Sequence, residues 1–247
     1  MLKNKWAFMF SINLNYTRLL ITFLFISLFT GACNMSTSKN FKTKNLSFSE
    51  NIITLSKPIL DSKISIEKAL NTRRSIRNYK KSPLSLEQIS QLLWAAQGIT
   101  NSQGLRTAPS AGALYPLEIY LVSNNVSNLD PGVYSYKNNS HTLKKISQEN
   151  KISDLSGACL NQECVKNCSA AIVICVIYER TTQKYGPRGK DYALIEVGCA
   201  SQNIHLQAVS LNIGTVYVGG FEEHKVTQVI QAKNNEHPWC VMPLGTL

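Results

Sequence analysis

The sequence predicts an α+β fold in which one mixed or largely antiparallel sheet packs against helices. Residues 170–178 form an uninterrupted apolar run rich in Val and Ile, which indicates a strand buried on both faces. Residues 191–211 place small and apolar residues at helical spacing along one face, which indicates a long central helix. Two β-rich runs separated by turn residues, 133–136 and 141–146, indicate a hairpin. Strands and helices in this order are typical of an α+β domain.

Length and composition suit one globular domain behind a leader. The 247 residues are 44% hydrophobic and 17% charged, and a domain of about 200 residues buries roughly 70% of its unfolded surface. The formal net charge of +11 favours anionic ligands or a membrane surface. Nucleic acid is not expected as a partner, because the lysines are scattered and no helix-turn-helix, zinc-finger or RNA-recognition signature is present.

Residues 1–32 have the organisation of a signal peptide. Basic residues precede an uncharged apolar run, 19–32, which as a helix spans roughly 21 Å and is too short for a ~30 Å hydrocarbon core. Small residues before Cys33 resemble a bacterial lipoprotein cleavage site, although Thr30 stands where Leu is usual. We therefore expect Cys33 to be the lipidated first residue of the mature protein. An ordinary signal peptide or an uncleaved anchor is the alternative.

A polar tether and a folded domain are expected after the leader. Residues 34–60 are rich in Ser, Lys and Asn without a sustained period, which favours a tether that is partly ordered near residues 52–60. The domain is expected over residues 61–247. This organisation predicts an exported protein, anchored through its lipid at the membrane of the bacterial cell envelope.

In the first half of the domain, one helix has clear boundaries. Ser85 and Gln88 have the spacing of a capping box, apolar residues follow at helical spacing, and Gly98 stands where a C-cap glycine belongs, so a helix is expected over residues 86–97. The other expected elements are a short helix at 64–71, a loop at 99–113 and a strand at 117–122.

In the second half, helices are expected to frame the buried strand. They lie at residues 152–160, 191–211 and 222–232. Short strands are expected at 215–218 and 239–242, with a sharp loop at Gly219 and Gly220.

Three arginines and a serine cluster at residues 73–77. The guanidinium groups of Arg73, Arg74 and Arg77 and the hydroxyl of Ser75 can make charge-assisted hydrogen bonds to a phosphate, each worth about 1.5–3 kcal/mol when desolvated. In an extended segment Arg77 lies on the same side as Ser75 and can reach a different part of the ligand. Taken alone, two adjacent arginines are more often a solvated basic turn.

Two runs of small residues can approach a ligand closely. Pro109, Ser110, Ala111 and Gly112 leave backbone amides accessible and let a planar ring lie near the chain. Gly219 and Gly220 likewise let a backbone N–H approach a ligand atom. Each run alone also fits a surface loop or a strand end. With the arginines, they indicate a ligand that carries a phosphate and a flat ring.

In this order, these segments resemble the nitroreductase-like flavoprotein family. The closest branch is the SagB-type dehydrogenases, some of which oxidise azoline rings in thiazole/oxazole peptide biosynthesis. The resemblance covers roughly residues 65–245, and its most specific part is Pro-Ser-Ala-Gly-Ala-Leu-Tyr-Pro at 109–116. The other matching segments are 73–77, 95–98, 106–118, 193–198, Gln202 with Asn203, 214–221 and 243–245.

The resemblance implies a nitroreductase-like fold and an FMN enzyme that forms a homodimer with two flavins at its interface. It assigns the phosphate, ribityl and pyrimidine edge of FMN to one set of residues, Arg73, Arg74, Ser75 and Arg77. It also implies that a second set of residues approaches the FMN bound by the other subunit: Pro109, Ser110, Ala111 and Gly112. Gly219 and Gly220 are expected to flank the ring, with a backbone N–H near flavin N5, where hydride is transferred. Such a transfer depends on geometry and exclusion of water more than on a protein acid.

Two departures from the family pattern are visible. Many members extend beyond the Pro-Leu-Gly strand and supply a further basic phosphate contact, whereas the sequence here ends at Leu247. Azoline oxidases carry an adjacent Lys-Tyr pair before the long helix, whereas Lys190 and Tyr192 are separated by Asp191. Lys190 and Tyr192 nevertheless join the two glycines as candidate catalytic residues.

No metal site is expected. The spacings of Cys159, Cys164 and Cys168 match no common zinc or iron–sulfur pattern. In an oxidising compartment, a disulfide from Cys164 to either of the other two is an alternative. The histidines show no metal-ligand spacing and are interpreted as surface or core residues: His141, His205, His224 and His237.

The expected function is that of an FMN-dependent oxidoreductase whose small-molecule or peptide substrate is undefined. NAD(P)H with a nitroaromatic or a quinone is the donor and acceptor pair typical of the wider family, although NAD(P)H is scarce outside the cytoplasm. An azoline dehydrogenase acting on peptides is the enzymatic alternative. An alternative from another class is a non-catalytic lipoprotein that keeps the fold as a flavin- or ligand-binding module.

Overall fold

The computed structural model describes residues 52–247. The leader, Cys33 and most of the tether lie outside the described residues. Nine strands are present in this part: β1 Ile52–Thr54, β2 Leu84–Ser85, β3 Leu117–Ser123, β4 Val126–Ser127, β5 Gly132–Lys137, β6 Thr142–Ser147, β7 Ala170–Val176, β8 Ile213–Thr215 and β9 His237–Thr246. The α-helices are α1 Ile66–Thr72, α2 Leu86–Gln97, α3 Ile152–Ala158, α4 Glu163–Lys166, α5 Glu179–Tyr185, α6 Gly189–Ser210 and α7 Glu223–Ile230. Two short 3-10 helices span Ala111–Ala113 and Gly186–Arg188.

Seven strands form one antiparallel sheet in the order β1-β6-β5-β3-β7-β9-β8. The central strand β7 is buried at every position. Its even-numbered residues, such as Ile172, face one core, and its odd-numbered residues, such as Val173, face the other. Because side chains alternate along a strand, an apolar run buried on both faces holds two helical layers together. The predicted α+β fold with its buried central strand is confirmed.

The long helix α6 and the capped helix α2 cover one face of the sheet. Helices α3, α4 and α7 cover the other face. The predicted capping box is present, since Ser85 Oγ accepts from the Gln88 N–H at 3.2 Å and Gln88 Oε1 accepts from the Ser85 N–H at 2.9 Å. The long helix predicted near 191–211 is observed at Gly189–Ser210.

Several predicted boundaries were wrong. The strand predicted at 215–218 is β8, Ile213–Thr215, after which the chain leaves the ladder and returns as a single bridge from Val218 to Val241. Extrapolating the pairing places Pro243 opposite the gap, and proline has no N–H to complete a ladder. The strand predicted at 239–242 extends over His237–Thr246, because β7 pairs along most of its length.

Two further elements differ from the prediction. Helix α5, Glu179–Tyr185, has no apolar period, and it forms where Thr181 is buried against the start of α6. Residues 52–54, in the part of the tether where partial order was expected, form edge strand β1 paired with β6, and this strand was not predicted. The segment after β1 is also fixed, because the Leu55 N–H donates to the His141 carbonyl and Ser90 Oγ donates to the Ser56 carbonyl at 2.9 Å. The ordered part of the described chain therefore includes the segment from Ile52 onward.

The described cysteines are free thiols, and Cys159, Cys164 and Cys168 are buried without a disulfide. Over residues 52–247, no group of His, Cys, Asp and Glu has an arrangement that could hold a metal ion. Within the same range, every helix is too short or too polar to cross a bilayer.

The arginine segment lies against the free edge of the sheet. The Ile76 N–H donates to the Thr215 carbonyl and the Lys80 N–H donates to the Thr246 carbonyl, both at 2.9 Å. Between these bonds, the ring of Tyr79 lies directly on the backbone of Gly245. A Cβ added at Gly245 would overlap Tyr79 Cβ and Cγ, so only glycine permits this approach.

Gly245→Ala should therefore destabilise the domain. Overpacking of this kind costs about 1–3 kcal/mol, and it should be visible as a lower midpoint of urea unfolding. Gly157→Ala is the matched control, because a Cβ there meets no atom within 4 Å and alanine is the better helix former by about 0.5–1 kcal/mol. Equal midpoints for the two variants would contradict the packing described here.

Candidate functional site

The residues predicted from sequence fall into two groups on the described chain. The first group is the arginine segment with the Gly219–Gly220 loop. The second is the Pro109–Gly112 segment with the start of α6. No described hydrogen bond or ion pair joins the two groups within one chain. Along α6, His205 belongs to the first group and Glu196 to the second, and nine residues of helix separate them by roughly 14 Å.

The arginine segment follows directly from α1, whose last turn is capped by the Arg73 backbone N–H bound to the Ala69 carbonyl at 2.9 Å. The guanidinium groups of Arg73 and Arg77 make no ion pair or hydrogen bond with a described residue, and the Ser75 hydroxyl is exposed. Arg74 differs, because its Nη1 donates to the carbonyls of Asn71 at 3.1 Å and Arg73 at 2.7 Å. Two unpaired cations beside a free hydroxyl suit an anionic ligand.

Two buried polar atoms belong to residues on the elements that border this segment. His205 Nδ1 on α6 and Thr215 Oγ1 on β8 have no hydrogen-bond partner among the described residues. Burial, and then the positive charge of Arg73, lower the pKa of His205 to about 4, so its imidazole is neutral near pH 7. Sequence analysis interpreted His205 as a surface or core residue and placed Thr215 only in a predicted strand and in the matching segment 214–221. Neither was assigned to the site, because an isolated His or Thr gives no signal before its neighbours are known.

The Gly219–Gly220 loop is exposed and open. A Cβ at Gly220 would meet only Gln162 Nε2 at 3.9 Å, and a Cβ at Gly219 would meet the Tyr217 ring at 3.3 Å. Gln162 Nε2 donates to the Gly220 carbonyl at 3.0 Å and to the Cys159 carbonyl at 3.1 Å. The loop is therefore tied to the α3–α4 connection, while both glycines remain exposed. Gln162 was not recognised from sequence.

The second group surrounds a cavity of about 300 Å³. Pro109, Ser110 and Ala111 line it together with Tyr192 and the exposed side chain of Ile195. Gly112 has a positive φ of 61° and lies beside the Tyr185 hydroxyl and Lys184 Nζ. The sequence prediction did not connect Tyr192 with the Pro109–Gly112 segment, but the structure brings them together.

Lys190 and Tyr192 point to different surroundings. They are two residues apart on α6, which rotates them about 200° from each other. Lys190 Nζ lies 5.8 Å from the centre of the Tyr178 ring. The Tyr192 hydroxyl accepts from Arg188 Nε at 3.0 Å, and its ring meets the Tyr185 ring edge-on. Because each has different neighbours, the two do not act as one pair within a chain.

A buried polar chain lies beneath Ser110. Gln97 Nε2 donates to Glu196 Oε1 at 3.1 Å, and Arg106 Nη1 donates to Gln97 Oε1 at 2.8 Å. The Arg106 guanidinium stacks on the Tyr115 ring at 4.0 Å, and Ser110 Oγ accepts from the Tyr115 N–H at 2.8 Å. The chain therefore links α2, α6 and the Pro109–Gly112 segment. Gln97, Arg106 and Glu196 stood in segments used for the family resemblance, but their connection required the fold.

Glu196 is 2% exposed. Burial raises the pKa of its carboxyl group, and the Ser110 hydroxyl, Gln97 and Arg106 partly offset that rise. The folded state therefore holds this proton more tightly than the unfolded chain. The stability that this proton supplies is complete below the unfolded pKa and is lost as pH rises through the folded pKa.

Glu196→Gln should remove this pH dependence. Between about pH 4 and pH 7, the free energy of unfolding of the wild type should fall relative to that of the variant as pH rises, as measured by urea titration at several pH values. Glu163→Gln, which changes an exposed carboxylate, controls for net charge. A difference between wild type and Glu196→Gln that stays constant with pH would contradict the assignment.

Comparisons with known proteins identify the family of the chain. A model described as "Nitroreductase family" matches residues 70–246. The protein named "Putative nitroreductase MJ1384" of Methanocaldococcus jannaschii is 41% identical over 182 residues, which cover 74% of this chain and 91% of that relative. The "Microcin B17-processing protein McbC" of Escherichia coli is 31% identical over 194 residues, 73% of this chain and 71% of that protein.

Solved structures share the fold. A nitroreductase structure from Anabaena variabilis has a TM-score of 0.70 and 28% identity, and the match covers 79% of this chain but only 41% of that one. The E. coli microcin synthetase McbBCD complex, with truncated pro-MccB17 bound, has a TM-score of 0.63 and 27% identity over 89% of this chain and 84% of the matched chain. The chain belongs to the nitroreductase family.

Proposed function

We propose that this protein is an FMN-dependent oxidoreductase that works as a homodimer and transfers hydride through flavin N5. Family membership supports an oxidoreductase, and nitroreductase-family proteins typically bind FMN. The observation that carries the proposal is that the guanidinium groups of Arg73 and Arg77 make no ion pair or hydrogen bond with the described residues. Their segment bonds to β8 at Thr215, four residues before the exposed Gly219–Gly220 loop. This arrangement fits a ligand with a phosphate at one end and a planar ring at the other.

The residues present fit FMN on three further points. The Arg73–Arg77 segment supplies cations and a hydroxyl, which suit phosphate and ribityl groups. His205 Nδ1 and Thr215 Oγ1, which lack partners in the described chain, belong to neighbouring elements. The Gly219–Gly220 loop is exposed, and a Cβ added at Gly220 would meet only Gln162 Nε2 at 3.9 Å. These are the features that a flavin site at this edge requires.

Each segment has a distinct role in the proposed reaction. Arg73, Ser75 and Arg77 hold the phosphate and ribityl chain, and Arg74 fixes the segment through its bonds to backbone carbonyls. A backbone N–H of Gly219 or Gly220 orients the ring at N5, and Gln162 holds that loop. Bound FMN supplies the hydride acceptor and donor. Pro109–Gly112 of the other subunit would close over the ring and exclude water.

An exposed apolar surface supports the homodimer. Ile59 and Leu60 are 66% and 82% exposed, and Ile66 and Leu70 on α1 are 55% exposed each. Beside them, α1, α2 and α6 border a groove of about 350 Å³. Contiguous exposed apolar side chains mark interaction surfaces. Since the two groups of site residues lie apart on one chain, a two-fold axis near α6 would bring the first group of one subunit to the second group of the other.

The substrate alternatives keep the same cofactor. NAD(P)H with a quinone or a nitroaromatic is the pair we propose first, on family membership. Azoline oxidation on a peptide is the second candidate, and the similarity to McbC favours it, while the separation of Lys190 from Tyr192 weighs against it. A non-catalytic binding lipoprotein is the third candidate, and the unpaired Arg73 and Arg77 argue against it because they suit a cofactor phosphate.

We further propose that the protein is exported and held at the membrane of the cell envelope by lipid on Cys33. The support is the leader sequence alone, residues 1–32 with the small residues before Cys33. Mass spectrometry of the membrane-extracted protein would test it, because lipidation at Cys33 gives an N-terminal peptide that begins at this residue and carries acyl chains. An unmodified N-terminus would contradict it.

Arg73→Ala should weaken FMN binding without unfolding the chain. Loss of one or two charge-assisted hydrogen bonds, about 1.5–3 kcal/mol each, corresponds to at least about tenfold weaker binding. Fluorescence titration with FMN measures this loss, and circular dichroism checks the fold. Lys63→Ala removes an exposed cation away from the segment and is the control. If the wild type shows no flavin absorbance even after FMN is added, the proposed function is wrong.

Leu70→Asp should produce a monomer that binds little FMN, because it places a charge in the proposed apolar interface. Light scattering after size exclusion would report the mass, and FMN titration the binding. Leu160→Asp is matched to it, since Leu160 is 61% exposed but lies at the end of α3 on the other face of the sheet. A dimeric Leu70→Asp protein that retains FMN would contradict this interface.

A further inference from the structure

A row of four side chains runs along one end of the sheet, from α6 to α7. Lys190 Nζ lies 5.8 Å from the centre of the Tyr178 ring. Tyr178 follows β7, and its ring centre lies 5.5 Å from that of His237 at the start of β9. His237 Nδ1 lies 3.0 Å from Glu223 Oε1 in the first turn of α7. Sequence analysis interpreted His237 as a surface or core residue and gave Tyr178 and Glu223 no role.

The contact with Glu223 orients the imidazole of His237. A carboxylate only accepts hydrogen bonds, so the hydrogen of the neutral ring lies on Nδ1 and leaves a lone pair on Nε2. The His237 side chain is 40% exposed, which leaves space for a substrate at its outer edge. General acid–base catalysis often uses a histidine whose tautomer is fixed by a carboxylate and whose second ring nitrogen is free.

Strand register places this pair near the Gly219–Gly220 loop. Val218 pairs with Val241, so Gly219 stands near the level of Cys240 on β9. His237 is three residues further along the same strand, which corresponds to roughly 10 Å. On the other side, Glu223 follows Gly220 after only two residues. A small molecule that contacts the loop and extends roughly 10 Å along β9 would reach the level of His237.

We propose that His237, positioned by Glu223, transfers the substrate proton that accompanies hydride transfer. This inference rests on the proposed function, because the hydride must be exchanged with FMN. When a quinone is reduced, bound FMN would supply the hydride, and His237 in its protonated form would give its Nε2 proton to the oxygen that becomes a hydroxyl. Two electrons and two protons then reside on the hydroquinone, FMN is oxidised, and His237 regains its proton from solvent. In dehydrogenation the hydride moves to FMN and the proton moves to Nε2.

The neighbours of His237 have supporting roles. The Tyr178 ring packs against the imidazole of His237, and Lys190 Nζ lies 5.8 Å from the centre of the same Tyr178 ring. Burial raises the pKa of Tyr178, and the negative charge of Glu223 adds to the rise, so the phenol remains neutral near pH 7. Glu223 does not reach the substrate in this scheme and acts only through His237.

The test measures reoxidation of dithionite-reduced, FMN-loaded protein by menadione under anaerobic conditions. His237→Ala should slow this step by about 100-fold, within the range observed for loss of a general acid, and added imidazole should restore part of the rate. His224→Ala is the matched control, because His224 lies beside Glu223 on α7 and is exposed. FMN titration should give the same affinity for both variants and the wild type.

A second readout does not need the cofactor. Nitrogen-15 NMR of the protein without FMN should show the neutral His237 ring protonated at Nδ1. In Glu223→Gln, the fraction of neutral rings protonated at Nδ1 should fall. If His237→Ala and His224→Ala both bind FMN but react with menadione at equal rates, the inference about His237 is wrong and the proposed function stands. A ring protonated at Nε2 would also overturn the inference. Failure of the wild type to bind FMN would overturn both.

Discussion

The packing of the arginine segment against the edge of the sheet is the constraint on which the proposed site depends. Residues 73–80 add to β8 and β9 through the bonds of Ile76 to Thr215 and Lys80 to Thr246. The approach is possible because Gly245 presents bare backbone to the Tyr79 ring. Backbone hydrogen bonds on both sides fix the direction of the segment. The guanidinium groups of Arg73 and Arg77 make no ion pair within residues 52–247, which leaves them available for a ligand.

The same edge of the sheet carries both the proposed phosphate-binding segment and the proposed hydride-transfer loop. Beyond Thr215 the chain leaves the ladder opposite Pro243 and rejoins it at Val218, immediately before Gly219 and Gly220. The loop is therefore held at a strand end, and Gln162 secures it from the other side. From this loop, β9 leads to His237 and the start of α7 leads to Glu223. Sites built on strand ends hold their geometry better than sites on long free loops.

The other half of the proposed site lies near the start of α6. Pro109–Gly112 rests on a buried chain of Glu196, Gln97 and Arg106 that connects two helices. A polar chain of this kind is costly to bury unless its members are hydrogen-bonded, and it specifies one arrangement of the segment above it. The separation of the halves along one helix is the physical reason to expect that a second copy completes each site.

Much of the fold was predictable because its signals are local. The capping box at Ser85 and Gln88 and the periodic face of α6 depend on residues that are close in sequence, and both were confirmed. Strand β1 was missed because an edge strand in a polar segment is set by its partner β6. Helix α5 was missed because its order comes from burial of Thr181.

The site was predictable only in part. The motif residues are predictions from sequence alone, whereas the contacts of Tyr178, Glu196 and His237 involve neighbours that are distant in sequence. Tyr178 and His237 are 59 residues apart in number and become neighbours only because β7 and β9 pair. Likewise, helical rotation separates the side chains of Lys190 and Tyr192. Their different neighbours can be named only once the surroundings of α6 are known.

A mixed-subunit experiment tests the central claim, which is that each FMN site combines Arg73–Arg77 of one chain with Pro109–Gly112 of the other. Arg73→Ala and Ala111→Trp alter opposite halves, so each variant alone should bind little FMN. After the two are unfolded together and refolded, about half of the dimers contain one chain of each kind, and each such dimer regains one intact site. The account predicts bound FMN at about a quarter of the wild-type level. A refolded mixture that binds no more FMN than the separate variants would contradict it.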